Sequence, residues 1–228
     1  MDPRHPIILS SAAAFVLAVT ASPALAGGRN FAYTYGYATG NAGDFGIELH
    51  GDFDSAPGGQ AELEYSFTDH LSAAAKVRVV QATGVDSLSL KGTARLAEPG
   101  EWPVDTGLVA ELERPLDMSL PMTVRGILVA EKRVGKVVTD GNVVLATALA
   151  PGSPQYGANL GLGYQVTEAF QPGIQIMYGD TEFGDGYANK LFAGASVKET
   201  LGHTAVVGGL LYGGANEVRG TLVLVEDF

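Results

Sequence analysis

The sequence contains no cysteine. Small exported domains commonly rely on disulfides, so an exported fold built from this chain has to gain stability another way, and a sheet closed on itself is one. Long apolar runs are also missing beyond the N-terminal 26 residues: nothing there reaches the roughly 20 apolar residues that a membrane-spanning helix needs. Basic charge is scarce, with 14 Lys and Arg against 25 Asp and Glu and a formal net charge of −11. That argues against a nucleic-acid partner, because neutralising phosphates takes clustered Lys and Arg; acidity by itself names no substrate. Helical periodicity is absent as well. From Asp44 onward the dominant period is two, not 3.6.

What is present begins with an export signal over residues 1–26. Arg4 lies in a short leading region, and the apolar stretch 7–19 is too short to span a bilayer. Ser22-Pro23 breaks it, and Ala24-Leu25-Ala26 offers small residues for cleavage, which puts the mature start at Gly27. The rival is an uncleaved anchor helix. Asp2 is atypical of a signal, but the small-x-small site favours cleavage.

The period-two pattern is clearest early in the chain. Ala61, Leu63, Tyr65 and Phe67 share one face against Gln60, Glu62, Glu64 and Ser66. Leu88, Leu90, Gly92, Ala94 and Leu96 oppose Ser87, Ser89, Lys91 and Arg95. Alternating segments of about ten residues separated by turn residues are the signature of a membrane-barrel strand. About twelve such strands fit residues 44–228, near 44–54, 59–67, 71–82, 86–97, 104–114, 121–133, 137–148, 155–166, 170–179, 187–197, 201–212 and 217–228. The expected fold is all-β: a closed, antiparallel, up-and-down transmembrane β-barrel, with fourteen strands as the alternative. A soluble sandwich also alternates, but the outward aromatics separate the two. Phe45, Tyr65, Phe67, Trp102, Tyr164, Phe170 and Phe228 gather at the end expected to face the periplasm, and Phe53, Tyr156, Tyr178 and Tyr187 at the other. Two aromatic girdles around an apolar band suit lipid headgroups. Three-residue turns are expected at Thr68-Asp69-His70, Thr167-Glu168-Ala169 and Lys198-Glu199-Thr200.

Residues 27–43 stand outside this meander. Phe31, Tyr33, Tyr35 and Tyr37 alternate like a strand, but counting them makes the strand number odd, whereas bacterial single-chain barrels are even. The segment is expected to plug the lumen or to lie at the rim.

The stretch 65–72, YSFTDHLS, following Glu62-Leu63-Glu64, resembles hairpins of proteobacterial barrels grouped with the MetA-pathway phenol-degradation transporter-like proteins. The opening Asn30-Phe31-Ala32-Tyr33-Thr34-Tyr35, followed by Phe45-Gly46-Ile47-Glu48, is similar in style. Phe228 resembles the C-terminal recognition signal of outer-membrane proteins, which implies the barrel-assembly machinery as a partner; Glu226 departs from the aromatic usual two positions earlier. The resemblance implies a barrel in the outer membrane of a Gram-negative bacterium, in contact with its lipid.

The inward face is where function is expected. It carries Glu48, Asp52, Glu62, Glu64, Glu111, Glu113 and Glu131 against Lys76, Arg78, Lys91, Arg95, Arg125, Lys190, Lys198 and Arg219. One reading is an aqueous lumen whose charges select small polar or amphipathic solutes. The other is structural: Glu62 opposite Lys76 and Gln60 opposite Arg78 are cross-strand pairs that stabilise the sheet by roughly 0.2–1 kcal/mol each. Charges in a dry lumen cost several kcal/mol per ion unless paired, which favours water inside. Inward Gly157, Gly161, Gly163, Gly173, Gly194 and Gly208 either remove bulk from a passage or let the sheet bend at barrel corners.

An enzyme is the weakest reading. His70-Leu71-Ser72 has the residues of a lipid-hydrolysing barrel, but His70 falls in a turn, Ser72 points inward, and no carboxylate or amide is placed to orient the imidazole. His50 and His203 lie on different strands, so no metal site is expected, and no cofactor motif stands in the strand-turn-helix context it needs. The expectations are therefore a solute channel, a structural barrel with a filled lumen, or a lipid-modifying barrel enzyme, in that order.

Overall fold

A computed structural model describes residues 29–53, 57–152, 154–179, 190–213 and 217–228; the expected signal peptide and Tyr187 lie outside them. The period-two segments form twelve strands: β1 (Phe45–Phe53), β2 (Gly58–Thr68), β3 (Leu71–Val80), β4 (Gly84–Arg95), β5 (Asp105–Pro115), β6 (Thr123–Val134), β7 (Val137–Ala148), β8 (Gln155–Tyr164), β9 (Phe170–Tyr178), β10 (Leu191–Leu201), β11 (Thr204–Gly213) and β12 (Val218–Asp227). Each pairs antiparallel with its sequence neighbours, and β1 pairs with β12, so the sheet closes. Closure leaves no unpaired edge, the condition under which strands can cross a bilayer. The count is twelve, not fourteen.

Alternation sorts the side chains as expected. Leu90 and Leu222 stand exposed outside at 66% and 47%, while Lys91 and Arg219 are buried inside at 9% and 0%. Exposed Phe45, Phe67, Trp102, Tyr164, Phe170 and Phe228 ring one end. This is also the end of the tight turns at Asp69-His70, Gly135-Lys136 and Gly202-His203, and it is called the turn end below. Tyr65 packs between Phe45 and Phe67 there, at centroid distances of 4.8 and 5.0 Å. Phe53, Tyr156, Tyr178 and Tyr212 ring the opposite, loop end.

Two turns differ from expectation. Lys198 and Glu199 belong to β10, paired with Val207 and Val206, and the chain reverses at Gly202-His203. Gly202 supplies the positive φ (68°) that a two-residue hairpin loop favours; the polar triplet before it carried no such conformational signal. At the β2–β3 hairpin a bulge between Ser66 and Thr68 pairs Thr68 with Leu71, which leaves a two-residue turn. The Thr68 hydroxyl accepts from the backbone N–H of His70 (3.1 Å) and Leu71 (3.0 Å). The turn after β8 keeps its expected register, with Val166 N donating to Phe170 O at 3.0 Å.

Candidate functional site

The interior has two dissimilar walls. On β1–β6 it is ionic. Lys91 Nζ binds Glu62 and lies 3.2 Å from Glu64. Lys76 Nζ is 2.7 Å from Glu111, and Arg125 reaches Glu111 at 3.1 Å and Glu113 at 3.4 Å. Several of these pairs skip a strand. Glu62 is opposite Lys76 in register, yet Lys76 turns to Glu111 and Glu62 takes Lys91. The intervening inward residues are small: Ala74 sits between Glu64 and Lys91, and Ser89 between Lys76 and Glu113. Long cationic chains cross those gaps to reach carboxylates two strands away. Gln60 does lie opposite Arg78 in register, as expected, but the two side chains are not hydrogen-bonded. Gln60 is buried with no hydrogen-bond partner for its amide among the described residues, and Arg78 lies 3.8 Å from Asp86.

The other predicted site residues fall in three places. Glu48 is inside, bound by His50 and by Arg29 at 2.9 Å, and buried Asp52 accepts from the Thr221 hydroxyl. Arg219 is buried, 5.1 Å from the centre of the Tyr33 ring. Arg95 sits near the turn end, 3.1 Å from exposed Glu98. Lys190 stands apart from the interior: it precedes β10 at the loop end, half exposed, 2.7 Å from Glu217. His70 Nε2 lies 2.9 Å from Glu98, and Ser72 is buried on the inner face, so the two do not form a nucleophile–base pair.

On β7–β12 amide and apolar residues predominate, Asn142, Asn159, Gln171 and Gln175 beside Met177, Phe192, Val207, Leu211 and Val223, with the buried charges Asp140 and Arg219 among them. Between the walls lie residues 29–35, buried within the barrel. The alternating aromatics read like a strand, but the closed sheet offers no edge to pair with, and residues 31–34 form a turn instead. Arg29 folds under that turn and donates to the carbonyls of Ala32 and Thr34, both at 3.3 Å. Inward side chains bond further backbone groups. Gln175 Oε1 accepts from Tyr33 N (2.9 Å), and Asn142 both accepts from Tyr35 N (2.7 Å) and donates to Tyr35 O (3.1 Å). Gln171 Nε2 donates to Asn30 O at 3.2 Å. The Asn30 amide in turn bridges Glu131 (2.8 Å) and Asp140 (3.3 Å), which are register partners on β6 and β7.

The rings of this segment explain several glycines. A Cβ on Gly161 would come within 2.4 Å of Phe31, and one on Gly173 within 2.8 Å, so both make room for that ring. Gly194 serves a different need: its Cβ would lie 1.9 Å from the Leu210 carbonyl, the close backbone approach that glycine permits. Gly208 faces outward beside Val197 and Leu222, not inward as expected, and Gly209 takes the inward place against Ala32 and Tyr33. Tyr33 enters an apolar cluster with Met177 and Phe192. Tyr35 enters a second with Val109, Ile127, Val129 and Val144, with Arg29 over its ring at 4.8 Å and Lys91 at 5.9 Å. Sequence reasoning missed Asn142, Gln175 and the Phe31 niche. The inward amides on later strands were the available signal. Among the described residues, a cavity of about 70 Å³ lies at the turn end, lined by Arg29, Tyr35, Glu48, Glu62, Glu64 and Lys91 among others, enough for a few waters.

No protein-family model matches the sequence, and no curated protein matches it. Solved structures do. The barrel is similar to KdgM porin, with a TM-score of 0.60 at 10% identity over 80% of this chain and 99% of the porin. It is similar to the COG4313 outer membrane channel from Pseudomonas putida F1, with a TM-score of 0.56 at 18% identity over 84% and 98%. Omp33 of Acinetobacter baumannii gives 0.56 at 14% identity over 81% and 98%. The likeness establishes the fold as a closed barrel of the outer-membrane kind.

Proposed function

We propose that the chain is an outer-membrane channel for small polar or amphipathic solutes, held shut in this structure by residues 29–35. The observation that carries the reading is how that segment is held. Side-chain hydrogen bonds and glycine niches retain it, with no sheet pairing, so it can leave while all twelve strands stay paired. An apolar outer wall between two aromatic rings supports a membrane location. The likeness to a porin and to an outer membrane channel supports transport. KdgM porin has also been solved with oligogalacturonate, a precedent for a small solute in this kind of fold. The resemblance of YSFTDHLS to MetA-pathway transporter-like barrels points the same way. Export with cleavage before Gly27, followed by insertion through recognition of Phe228, completes the reading. N-terminal sequencing of outer-membrane fractions should begin at Gly27, and recovery of soluble periplasmic protein would refute that part.

One observation favours a structural barrel with a filled lumen. The buried charges of β1–β6 are paired with one another, and pairing lowers the cost that otherwise calls for water. Planar-bilayer recording decides between the two. The intact protein should conduct poorly, and a variant lacking 27–43 should show larger discrete openings. A deleted barrel that inserts and never conducts establishes the structural reading.

A further inference from the structure

We infer that the outer wall at the turn end carries a discrete site for one anionic phospholipid, a proposal that rests on the membrane reading above. An apolar groove of about 430 Å³ crosses β7–β9, lined by Val137, Leu162, Tyr164, Pro172 and Ile174. It lies where the β8–β9 ladder stops at Gly163↔Gly173, and the next residue, Pro172, has no N–H to extend the pairing. The groove runs along the outer side of the Gly163 and Gly173 backbone, whose Cβ positions point inward toward Gln171 and Phe31, and outward Leu162, Tyr164, Pro172 and Ile174 stand out around it.

Cations gather at its lower end in a chain that has few. Three of the 14 Lys and Arg fall at Lys132, Arg133 and Lys136 around the β6–β7 turn. Arg133 is engaged with Gln165 at 2.7 Å. Exposed Lys136 reaches over Tyr164, which itself lines the groove, with Nζ 6.0 Å from the ring centre and 3.2 Å from Val166 O. Lys132 shares the outward face of β6 with Leu128 and Ala130. The acids nearby are Glu131 and Asp140, both turned inward to Asn30, Glu168 on the neighbouring turn, and exposed Glu199 on β10, the register partner of Phe170. The lysines sit at the level of the Tyr164–Phe170 aromatic ring, where headgroups lie and where long cationic chains extend toward phosphate. An apolar trough ending in lysines matches an acyl chain ending in a phosphate. The added negative charge of phosphatidylglycerol over zwitterionic phosphatidylethanolamine sets the preference.

Native mass spectrometry of the full protein in detergent, with equimolar phosphatidylglycerol and phosphatidylethanolamine, tests this. The wild type should retain one phosphatidylglycerol in preference. Lys132→Gln with Lys136→Gln should lower that preference by about fivefold per lysine. Leu162→Trp, which crowds the groove, should reduce retention of both lipids. Equal retention of the two lipids by the wild type, or unchanged retention in the lysine variant, overturns the site. Heat-modifiable gel mobility reports folding, and exposed Lys136→Gln alone carries the test if the double variant does not fold. Failure to enter vesicles puts the membrane reading at fault; insertion without headgroup preference puts only this site at fault.

Discussion

The two interior walls meet the same buried segment in different ways. On β1–β6 the long charged residues mostly satisfy each other, with Lys91, Lys76 and Arg125 joined to four glutamates. On β7–β11 the inward residues satisfy the segment: amides at Asn142, Gln171 and Gln175 hold its backbone, and glycines at 161, 173 and 209 hold its side chains. The first wall keeps its ion pairs when residues 29–35 leave, and loses the Arg29–Glu48 bond, the Asn30–Glu131 bond and the Tyr35 ring contacts. The second is left with unpartnered amides and empty niches. One wall is built for barrel integrity and the other for retention of the segment.

That contrast breaks most sharply on the ionic wall. Lys91→Met leaves Glu62 and Glu64 buried without their cation and should destabilise by about 3–5 kcal/mol, measured as urea unfolding in lipid vesicles. A loss under 1 kcal/mol would mean that water reaches the site. Leu90→Arg, one residue away but on the outer face, should cost about 2–4 kcal/mol from placing a charge in lipid. An effect near zero would reverse the assignment of faces. Asn142→Leu removes both bonds to Tyr35 and should cost about 1–3 kcal/mol. Its clearer signature should be functional: bilayer recordings should show more frequent openings, with pairing of the twelve strands unchanged by infrared spectroscopy. Loss of stability with no change in conductance would make the amide wall structural too. Gly202→Ala, remote from both walls, should cost only about 1–2 kcal/mol through its left-handed backbone and leave conductance as it was.

How much of this was legible in the sequence follows from the range of the interactions involved. Alternation is local, so strand number and the faces of Glu62, Lys91, Leu90 and Leu222 could be read directly. The ionic partners could not. Cross-strand register correctly places Glu62 opposite Lys76, but the observed bonds skip a strand because Ala74 and Ser89 are small, which is a property of the assembled sheet. The shift of the β10–β11 hairpin depended on weighing Gly202 above the polar Lys198-Glu199-Thr200. The aromatic segment 31–37 was legible as exceptional but not in shape, since its alternation resembles a strand and only the absence of a free edge makes it fold as a turn.

The seam between β1 and β12 gives the buried segment a direction. Phe45 and Phe228 exchange backbone hydrogen bonds at 3.2 and 2.8 Å, so the first and last strands join at the turn end, where residues 36–44 pass over the rim. The Thr39 hydroxyl and the Ala42 N–H fasten that passage to the Asp69 turn at 2.6 and 2.8 Å. Residues 36–44 thus form a short leash for the buried segment, about 30 Å at full stretch, fastened at the rim. On the channel reading proposed above, the segment would leave at the turn end, and its closing would be an intramolecular search over a few nanometres whose rate does not depend on how many copies the membrane holds.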